Sequence, residues 1–132
     1  GVIGQPYNTV SPNDKHNFTL LMAEFRSQLN AVTGTTGKQY YLTAAMSPGQ
    51  DKIALTEPAS YSQYLDYVNL MTYDFHGGWE ATGPTDFQSN LYADPASPYA
   101  GTTAGSYTVD NGVTALLNAG VPARKLNVGI PF

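Results

Sequence analysis

The chain has 132 residues, of which 12% are charged, with a net charge of −4; 10 tyrosines, 13 glycines and 9 prolines are many for this length. Globular domains usually carry about 25% charged residues. The low charge and its acidic balance exclude a coiled coil, a solvated charged tail and a polybasic nucleic-acid binder. A tyrosine-rich, neutral-polar surface remains, and such a surface suits an uncharged polar ligand.

Cysteine is absent, which excludes a disulfide framework and a thiolate metal site. No stretch approaches the roughly 18 apolar residues of a membrane span. The opening GVIGQPYNTV has neither an initiator Met nor the basic region of a signal peptide, and the apolar run LNVGIPF stops at Phe132. We therefore expect the chain to be an internal fragment of a larger protein.

Helical and strand patterns alternate along the chain after a turn-rich opening that ends at Pro12. Gly34 and Gly37 are expected to end the first helix, of about 18 residues. The apolar character of the first strand predicts burial on both faces. A long stretch without periodicity, 80–106, is uncommon unless it is functional. The predicted elements are a helix from Asn13, a strand 40–46, a helix 58–67, a strand 68–74, a helix 109–119 and a strand 125–130.

This alternation predicts parallel strands joined by right-handed crossovers, which is an α/β fold. Three strands with both faces buried cannot close a sheet by themselves. The pattern therefore indicates part of a larger α/β fold, and we see no internal repeat.

The end of the second predicted strand is the richest in side chains that carry chemistry. Ligands of parallel α/β folds bind at the carboxyl ends of strands. Met71 and Tyr73 share one face of the strand, Asp74 ends it, and Trp79 follows on a glycine-hinged turn. A carboxylate, a phenol and an indole together are groups that hydrogen-bond to a sugar and stack on it.

A purely structural interpretation of these residues stays open at this point. An apolar strand followed by Asp-x-x-Gly-Gly is also how a buried strand turns, with Met71 in the core and Trp79 as a packing residue. His76 has no second histidine at metal-ligand spacing, and His16 lies on a predicted helix, so neither indicates a metal site or a catalytic base. Phosphate loops and the HExxH and GxSxG motifs are absent, so we expect no metal or other cofactor.

The segment VNLMTYDFHGGW, residues 68–79, resembles the Met-x-Tyr-Asp strand of family 18 glycoside hydrolases, the chitinase family. Other segments resemble that family in the same order: DKHNFTLLMAEFRSQLNA the helix after its catalytic strand, YYLTAAMSP the next strand, and NAGVPARKLNVGIPF its "aGvp..Kl..GiPfYG" segment. The resemblance implies a partial TIM (β/α)8 barrel with about three parallel strands and intervening helices. It implies that residues 1–132 run from just after the fourth barrel strand to the end of the seventh.

The family's acidic signature closes the fourth strand, and Gly1-Val2-Ile3-Gly4 resembles the family segment that comes directly after that signature. The resemblance therefore implies that the general-acid glutamate lies about three residues before Gly1. We expect the isolated chain to be inactive and poorly folded, because its edge strands and apolar helix faces would lack neighbours.

The activity implied by the resemblance is hydrolysis of chitin, the β-1,4-linked polymer of N-acetylglucosamine. The reaction retains configuration by substrate assistance, because the substrate's own acetamide oxygen attacks the anomeric carbon. By resemblance, Tyr73 donates its hydroxyl to that acetamide carbonyl, and Asp74 adds negative potential near the developing cation. Met71 would form the apolar wall of the pocket, and Trp79 would stack on the sugar just beyond the cleaved bond.

For several further residues, a contact with the substrate and an ordinary role in packing or surface charge both stay open. Glu80 is a candidate contact to a sugar hydroxyl, and Met46 with Ser47 is a candidate floor of the pocket. The candidates for the cleft edge in the long loop are Tyr92, Asp94 and Tyr99.

The implied partner is chitin or a chitooligosaccharide, and we expect no nucleic acid, no membrane, and a monomeric, secreted parent protein. The alternative is a chitinase-like lectin that keeps the barrel and the aromatic cleft without the general acid. The Tyr73–Asp74 pair favours the enzyme, since a lectin needs no acetamide positioned for attack. A free-standing small α/β binding domain is a third hypothesis.

Overall fold

The computed structural model describes residue 2 and residues 4–132. Gly1 and Ile3, which belong to the segment expected to follow the acidic signature, lie outside the described residues. The elements are α1 (Asp14–Thr36), β1 (Thr43–Met46), α2 (Gln50–Ile53), α3 (Pro58–Tyr61), β2 (Tyr67–Leu70), α4 (Val109–Asn118) and β3 (Leu126–Val128), with 3₁₀ turns at Ala104–Ser106 and Ala123–Lys125. The predicted alternation is confirmed, and α2 is an element that the sequence did not predict. Within the described ranges, no helix combines the length and apolarity needed to cross a membrane.

The strands form one parallel sheet in the order β1-β2-β3, as the alternation predicted. Ala44 lies opposite Val68, and Leu70 lies opposite Val128. One face of this sheet packs against the helices. The buried core there comprises Met22, Ile53, Tyr61, Leu65, Val68, Leu70, Leu116 and Val121.

The other face of the sheet is open. Thr43 and Ala45 of β1 are exposed, as is Tyr67 of β2. The prediction that the first strand is buried on both faces is therefore wrong for this chain, because its helices cover one side of the sheet. Since side chains alternate along a strand, positions 67, 69, 71 and 73 all belong to this open face.

Helix α1 is 23 residues long, not about 18, because it continues through Gly34. A side chain at Gly34 would meet nothing within 4 Å, so the only cost of this glycine is its weak helix propensity, about 1 kcal/mol. Gly37 is different: it adopts a left-handed φ of 69°, and its N–H bonds the Thr33 carbonyl at 2.8 Å. The helix ends where a positive φ is needed, and glycine supplies it without strain.

The first strand begins later than predicted, because side chains bond the Tyr40 carbonyl and the Leu42 N–H, while the Leu42 carbonyl still accepts the Asp66 N–H at 2.8 Å. The Arg26 guanidinium donates to the Tyr40 and Tyr64 carbonyls at 3.2 and 3.0 Å and pairs with the Asp66 carboxylate at 2.5 Å. Asp66 also accepts the Leu42 N–H at 2.7 Å. This network holds α1 against the entries to β1 and β2.

The predicted helix 58–67 is limited to the four residues of α3, Pro58–Tyr61. The chain then turns, and the Lys125 ammonium donates to the carbonyls of Ser62 and Leu65 at 2.7 and 2.6 Å. These carbonyls are therefore held by a distant lysine and not by a continuing helix. The predicted strands 68–74 and 125–130 likewise shorten, to β2 and β3.

Replacing Thr108 with Ala should lower the free energy of unfolding by about 1 kcal/mol. Thr108 is the N-cap of α4, is almost fully buried, and accepts the Asn111 N–H on its hydroxyl at 3.0 Å. Chemical denaturation of the complete protein measures the loss. Thr114→Ala, at an exposed position on the same helix, is the matched control and should change stability by less than about 0.5 kcal/mol. Equal losses in both variants would contradict the capping role.

Candidate functional site

A cleft of about 320 Å³ opens beside the carboxyl ends of β1 and β2. Its walls are mostly apolar and aromatic, with a few polar groups among them, as is usual for ligand sites. The lining residues are Ser47, Pro48, Gly49, Lys52, Met71, Tyr73, Asp74, Phe75, Trp79 and Tyr107.

The chain just beyond β2 is fixed to both neighbouring strands. The Met71 N–H bonds the carbonyl of Met46 at 2.9 Å, and the Gly129 N–H bonds the carbonyl of Leu70 at 2.9 Å. The fully buried Thr72 donates its hydroxyl to the Gly129 carbonyl at 2.7 Å. The open-face side chains on either side of Thr72 are thereby held toward the cleft.

The ring of Tyr73 lies directly against Gly129. A Cβ atom added at Gly129 would be 2.6 Å from Tyr73 Cε1 and 2.7 Å from the Leu70 carbonyl oxygen. Such distances are not tolerated, so the ring can occupy this place only because residue 129 has no side chain. Gly129 therefore helps to set the direction of the Tyr73 hydroxyl.

The resemblance implies that Tyr73 orients the substrate, so Gly129→Ala is expected to lower kcat of the complete protein by roughly tenfold, because displacing an orienting group by less than 1 Å already costs much of its effect. The added methyl must push the Tyr73 ring, and it also crowds the Leu70 carbonyl, so a lower melting temperature is expected too. Steady-state kinetics well below that melting temperature measures the loss. Gly34→Ala, where a side chain meets nothing, is the control, and equal kcat values for the two variants would contradict the packing argument.

Asp74 breaks the alternation of side chains along the strand. Its φ is 53°, and no other non-glycine among the described residues has a positive φ. Continued strand geometry would turn its carboxylate toward the helices, whereas the structure places it on the cleft. A left-handed non-glycine residue costs on the order of 1 kcal/mol, and such outliers persist where surrounding structure holds them, often at functional sites. Asp74 supplies the carboxylate among the described residues that line the cleft.

Trp79 presents a broad indole surface to the cleft and remains 69% exposed. Its ring lies on the backbone of Gly77, where an added Cβ would overlap the indole carbons. One region of the indole is therefore supported by Gly77, and most of its surface is free for a ligand.

The turn that carries Trp79 is held by His76 and Glu80. His76 is buried, its ring stacks on Tyr99 at 4.4 Å, and its Nδ1 lies 3.0 Å from a carboxylate oxygen of Glu80. The other carboxylate oxygen accepts the Gly77 N–H at 3.2 Å. The hydrogen bond from His76 lowers the pKa of Glu80, which outweighs the opposing effect of burial, and the Gly77 N–H adds to the lowering.

The far wall of the cleft contains residues that sequence reasoning missed. The Tyr107 hydroxyl donates to the Asp51 carboxylate at 3.0 Å, and the Lys52 ammonium pairs with the same carboxylate at 2.7 Å. Burial raises the pKa of Asp51, but the hydrogen bonds from Lys52 and Tyr107 outweigh it, so the net shift is downward. Lys52 follows the first strand closely, so the rule that ligands bind at the carboxyl ends of parallel strands could have identified it. Tyr107 comes from a distant part of the sequence and gives no local signal.

The structure brings four of the six expected site residues to one cleft: Met71, Tyr73, Asp74 and Trp79. It places Met46 elsewhere, against the core. Met46 shares a strand face with Ala44, which faces the helices, so the alternation rule would have placed Met46 there; its neighbour Ser47 lines the cleft.

Glu80, the sixth, faces His76 and Gly77 instead of the cleft. The long-loop candidates also lie outside the cleft lining. Tyr99 stacks on His76, and Tyr92 is exposed. The Asp94 carboxylate accepts the Ala96 N–H at 2.8 Å. Across residue 2 and residues 4–132, no group of three or more His, Cys, Asp and Glu side chains is arranged to hold a metal ion.

Comparisons with known proteins assign this chain to a family. Residues 5–132 match the glycosyl hydrolases family 18. Chitinase A1 from Niallia circulans is 40% identical over 126 residues, which are 95% of this chain and 18% of that protein. Chitinase ChiA74 from Bacillus thuringiensis superposes with a TM-score of 0.90 at 42% identity, over 100% of this chain and 20% of that chain.

A mutant of catalytic domain 2 of the Group II chitinase from Ostrinia furnacalis, in complex with (NAG)5, superposes with a TM-score of 0.77 at 29% identity, covering 92% of this chain and 29% of that chain. The chain thus spans about a fifth of the length of the Niallia and Bacillus proteins that it matches, 18% and 20% respectively. The chain belongs to glycosyl hydrolase family 18, and its three parallel strands with their helices are part of that family's α/β barrel.

Proposed function

We propose that the parent protein of this chain hydrolyses chitin by a retaining, substrate-assisted mechanism, and that this chain supplies the groups that orient the acetamide. The observation that carries the proposal is the convergence of Tyr73, Asp74, Met71 and Trp79 on one cleft. A neutral N-acetylated sugar is well served by such a cleft. It offers a phenol held in place, a carboxylate that departs from the strand alternation to face the cleft, an apolar wall and an exposed indole.

In the proposed reaction, the acetamide oxygen of the substrate attacks the anomeric carbon while a general acid protonates the departing glycosidic oxygen. An oxazolinium ion forms, and water then opens it with net retention. Tyr73 donates its hydroxyl to the acetamide carbonyl and aligns it for attack. Asp74 accepts a hydrogen bond from the acetamide or a sugar hydroxyl, and its negative charge stabilises the developing cation.

We propose that the general acid is the glutamate of the family's acidic signature, which the resemblance implies to precede Gly1. Asp74 is reserved for charge stabilisation. We also propose that residues 1–132 run from just after the fourth barrel strand to the end of the seventh.

The aromatic surface of the cleft supports a neutral polymer as the substrate. Trp79 offers an indole face, and apolar pyranose faces stack well on such rings. Lys52 is neutralised by its pairing with Asp51, so the described residues of the far wall provide no free positive charge for an anionic ligand. A relative with a bound N-acetylchitooligosaccharide adds support. Because chitin is insoluble, we propose a secreted protein, acting as a monomer.

The experiment compares three hexasaccharides with the same linkage but different groups at carbon 2. The complete protein should cleave the N-acetylglucosamine hexamer, and it should cleave neither the de-N-acetylated hexamer nor the glucose hexamer. Chromatography of the products measures this. Comparable cleavage of the glucose hexamer would overturn substrate assistance, because that sugar has no acetamide.

A further inference from the structure

The turn that carries Trp79 is held from the side away from the cleft. Glu80 lies next to Trp79 in sequence, yet its carboxylate bonds to earlier residues of the turn. It lies 3.0 Å from His76 Nδ1 and accepts the Gly77 N–H at 3.2 Å. The Glu80 N–H in turn bonds the Gly77 carbonyl at 3.0 Å. These hydrogen bonds together fix the backbone on which the indole lies.

His76 is itself fixed by the long loop 80–106. Its buried ring stacks on Tyr99, with an interplanar angle of 27°. The Tyr99 hydroxyl donates to the Pro84 carbonyl at 2.9 Å, and the Tyr99 N–H bonds Ser97 Oγ at 3.0 Å. The loop thus folds around an imidazole that lies outside the cleft lining.

We propose that Glu80 and His76 are positioning residues that hold the Gly77 backbone in place, so that Trp79 keeps its indole face toward the bound sugar chain. This inference rests on the proposed function for its substrate. It gives the long loop a role, which is to anchor the turn by stacking Tyr99 on His76. It also replaces the expected contact between Glu80 and a sugar hydroxyl with an indirect effect through Trp79.

The test is a double-mutant cycle in the complete protein with the N-acetylglucosamine hexamer. Glu80→Ala should raise KM about threefold to tenfold while kcat changes less than about twofold, because part of the stacking contribution is lost. In a Trp79→Ala background the same substitution should raise KM less than about twofold, since the indole through which it acts is gone. Glu80→Gln should recover most of the affinity, because its amide oxygen still accepts the Gly77 N–H.

Glu24→Ala is the control, because Glu24 also bonds a residue four positions away, Gln28, on the exposed surface of α1; its kinetics should match the wild type. An equal rise in KM in both backgrounds would overturn the proposal and indicate a general loss of structure or a direct sugar contact by Glu80.

A second measurement does not depend on hydrolysis. The measurement is the time-resolved fluorescence anisotropy of Trp79, which is isolated by subtracting the polarised decays of the Trp79→Phe variant from those of the protein that contains Trp79. Glu80→Ala should make the Trp79 indole more mobile on the nanosecond scale. Unchanged mobility would overturn the proposal even if the protein is an active chitinase. Increased mobility in a protein that cleaves no chitin would support the positioning role and refute the proposed function.

Discussion

Tyr73→Phe in the complete protein should lower kcat for the N-acetylglucosamine hexamer by a factor of roughly 10 to 10³, with little change in KM. The change removes one hydroxyl and keeps the ring, so the packing of that ring on Gly129 is retained. A hydroxyl that orients the attacking acetamide stabilises the transition state more than the bound substrate, and its loss therefore appears in kcat. Steady-state kinetics and a melting curve for each variant separate this effect from a loss of stability.

The matched control is Tyr67→Phe. Tyr67 lies on the same open face at the other end of β2, is 40% exposed, and stacks on Tyr41 at 6.3 Å. It does not line the cleft. Its kcat should stay within about twofold of the wild type. Full turnover in Tyr73→Phe, or an equal loss in both variants, would eliminate the proposed role of the Tyr73 hydroxyl.

Trp79→Ala should raise KM for the hexamer by about tenfold, which corresponds to the loss of one stacked pyranose face. The effect on a short chromogenic substrate should be less than about twofold, because such a substrate does not extend to the sugar beyond the cleaved bond. The large exposed area of the indole explains why the loss of Trp79 should spare the fold. Kinetics on substrates of increasing length would measure the difference.

Phe87→Ala controls for the removal of an exposed aromatic residue. Phe87 is 61% exposed in the long loop and does not contribute to the cleft. Its substitution should leave KM for both substrates unchanged. If Trp79→Ala weakened long and short substrates equally, stacking beyond the cleaved bond would be the wrong assignment.

The order of elements was predictable because hydrophobic periodicity reports it directly, and α4 was predicted to within one residue at its end. Element ends were less predictable, because they depend on groups far apart in sequence. The entry to β1 is set by Arg26 and Asp66, which occupy the backbone groups of Tyr40 and Leu42. Burial on both faces also could not be judged from apolar character alone, since Ala and Thr occur on exposed strand faces as well.

Strand alternation and the family resemblance made part of the cleft predictable. Both bring Met71 and Tyr73 to one face, and the structure places them there. Met46 was misplaced although alternation assigns it to the helix side with Ala44. The pairing of Glu80 with His76 was not predictable, because a carboxylate that faces solvent and one that pairs with a histidine four residues earlier have the same sequence signal.

We propose that the substrate's acetamide is the nucleophile, held in the cleft that Tyr73 and Asp74 line. Proton NMR of the complete protein acting on the N-acetylglucosamine hexamer tests it most directly, because the anomeric proton of the new reducing end is resolved before mutarotation. We expect the β anomer to appear first, because substrate assistance retains the configuration of the cleaved bond. Initial release of the α anomer, or tight binding of the hexamer without any cleavage, would contradict it.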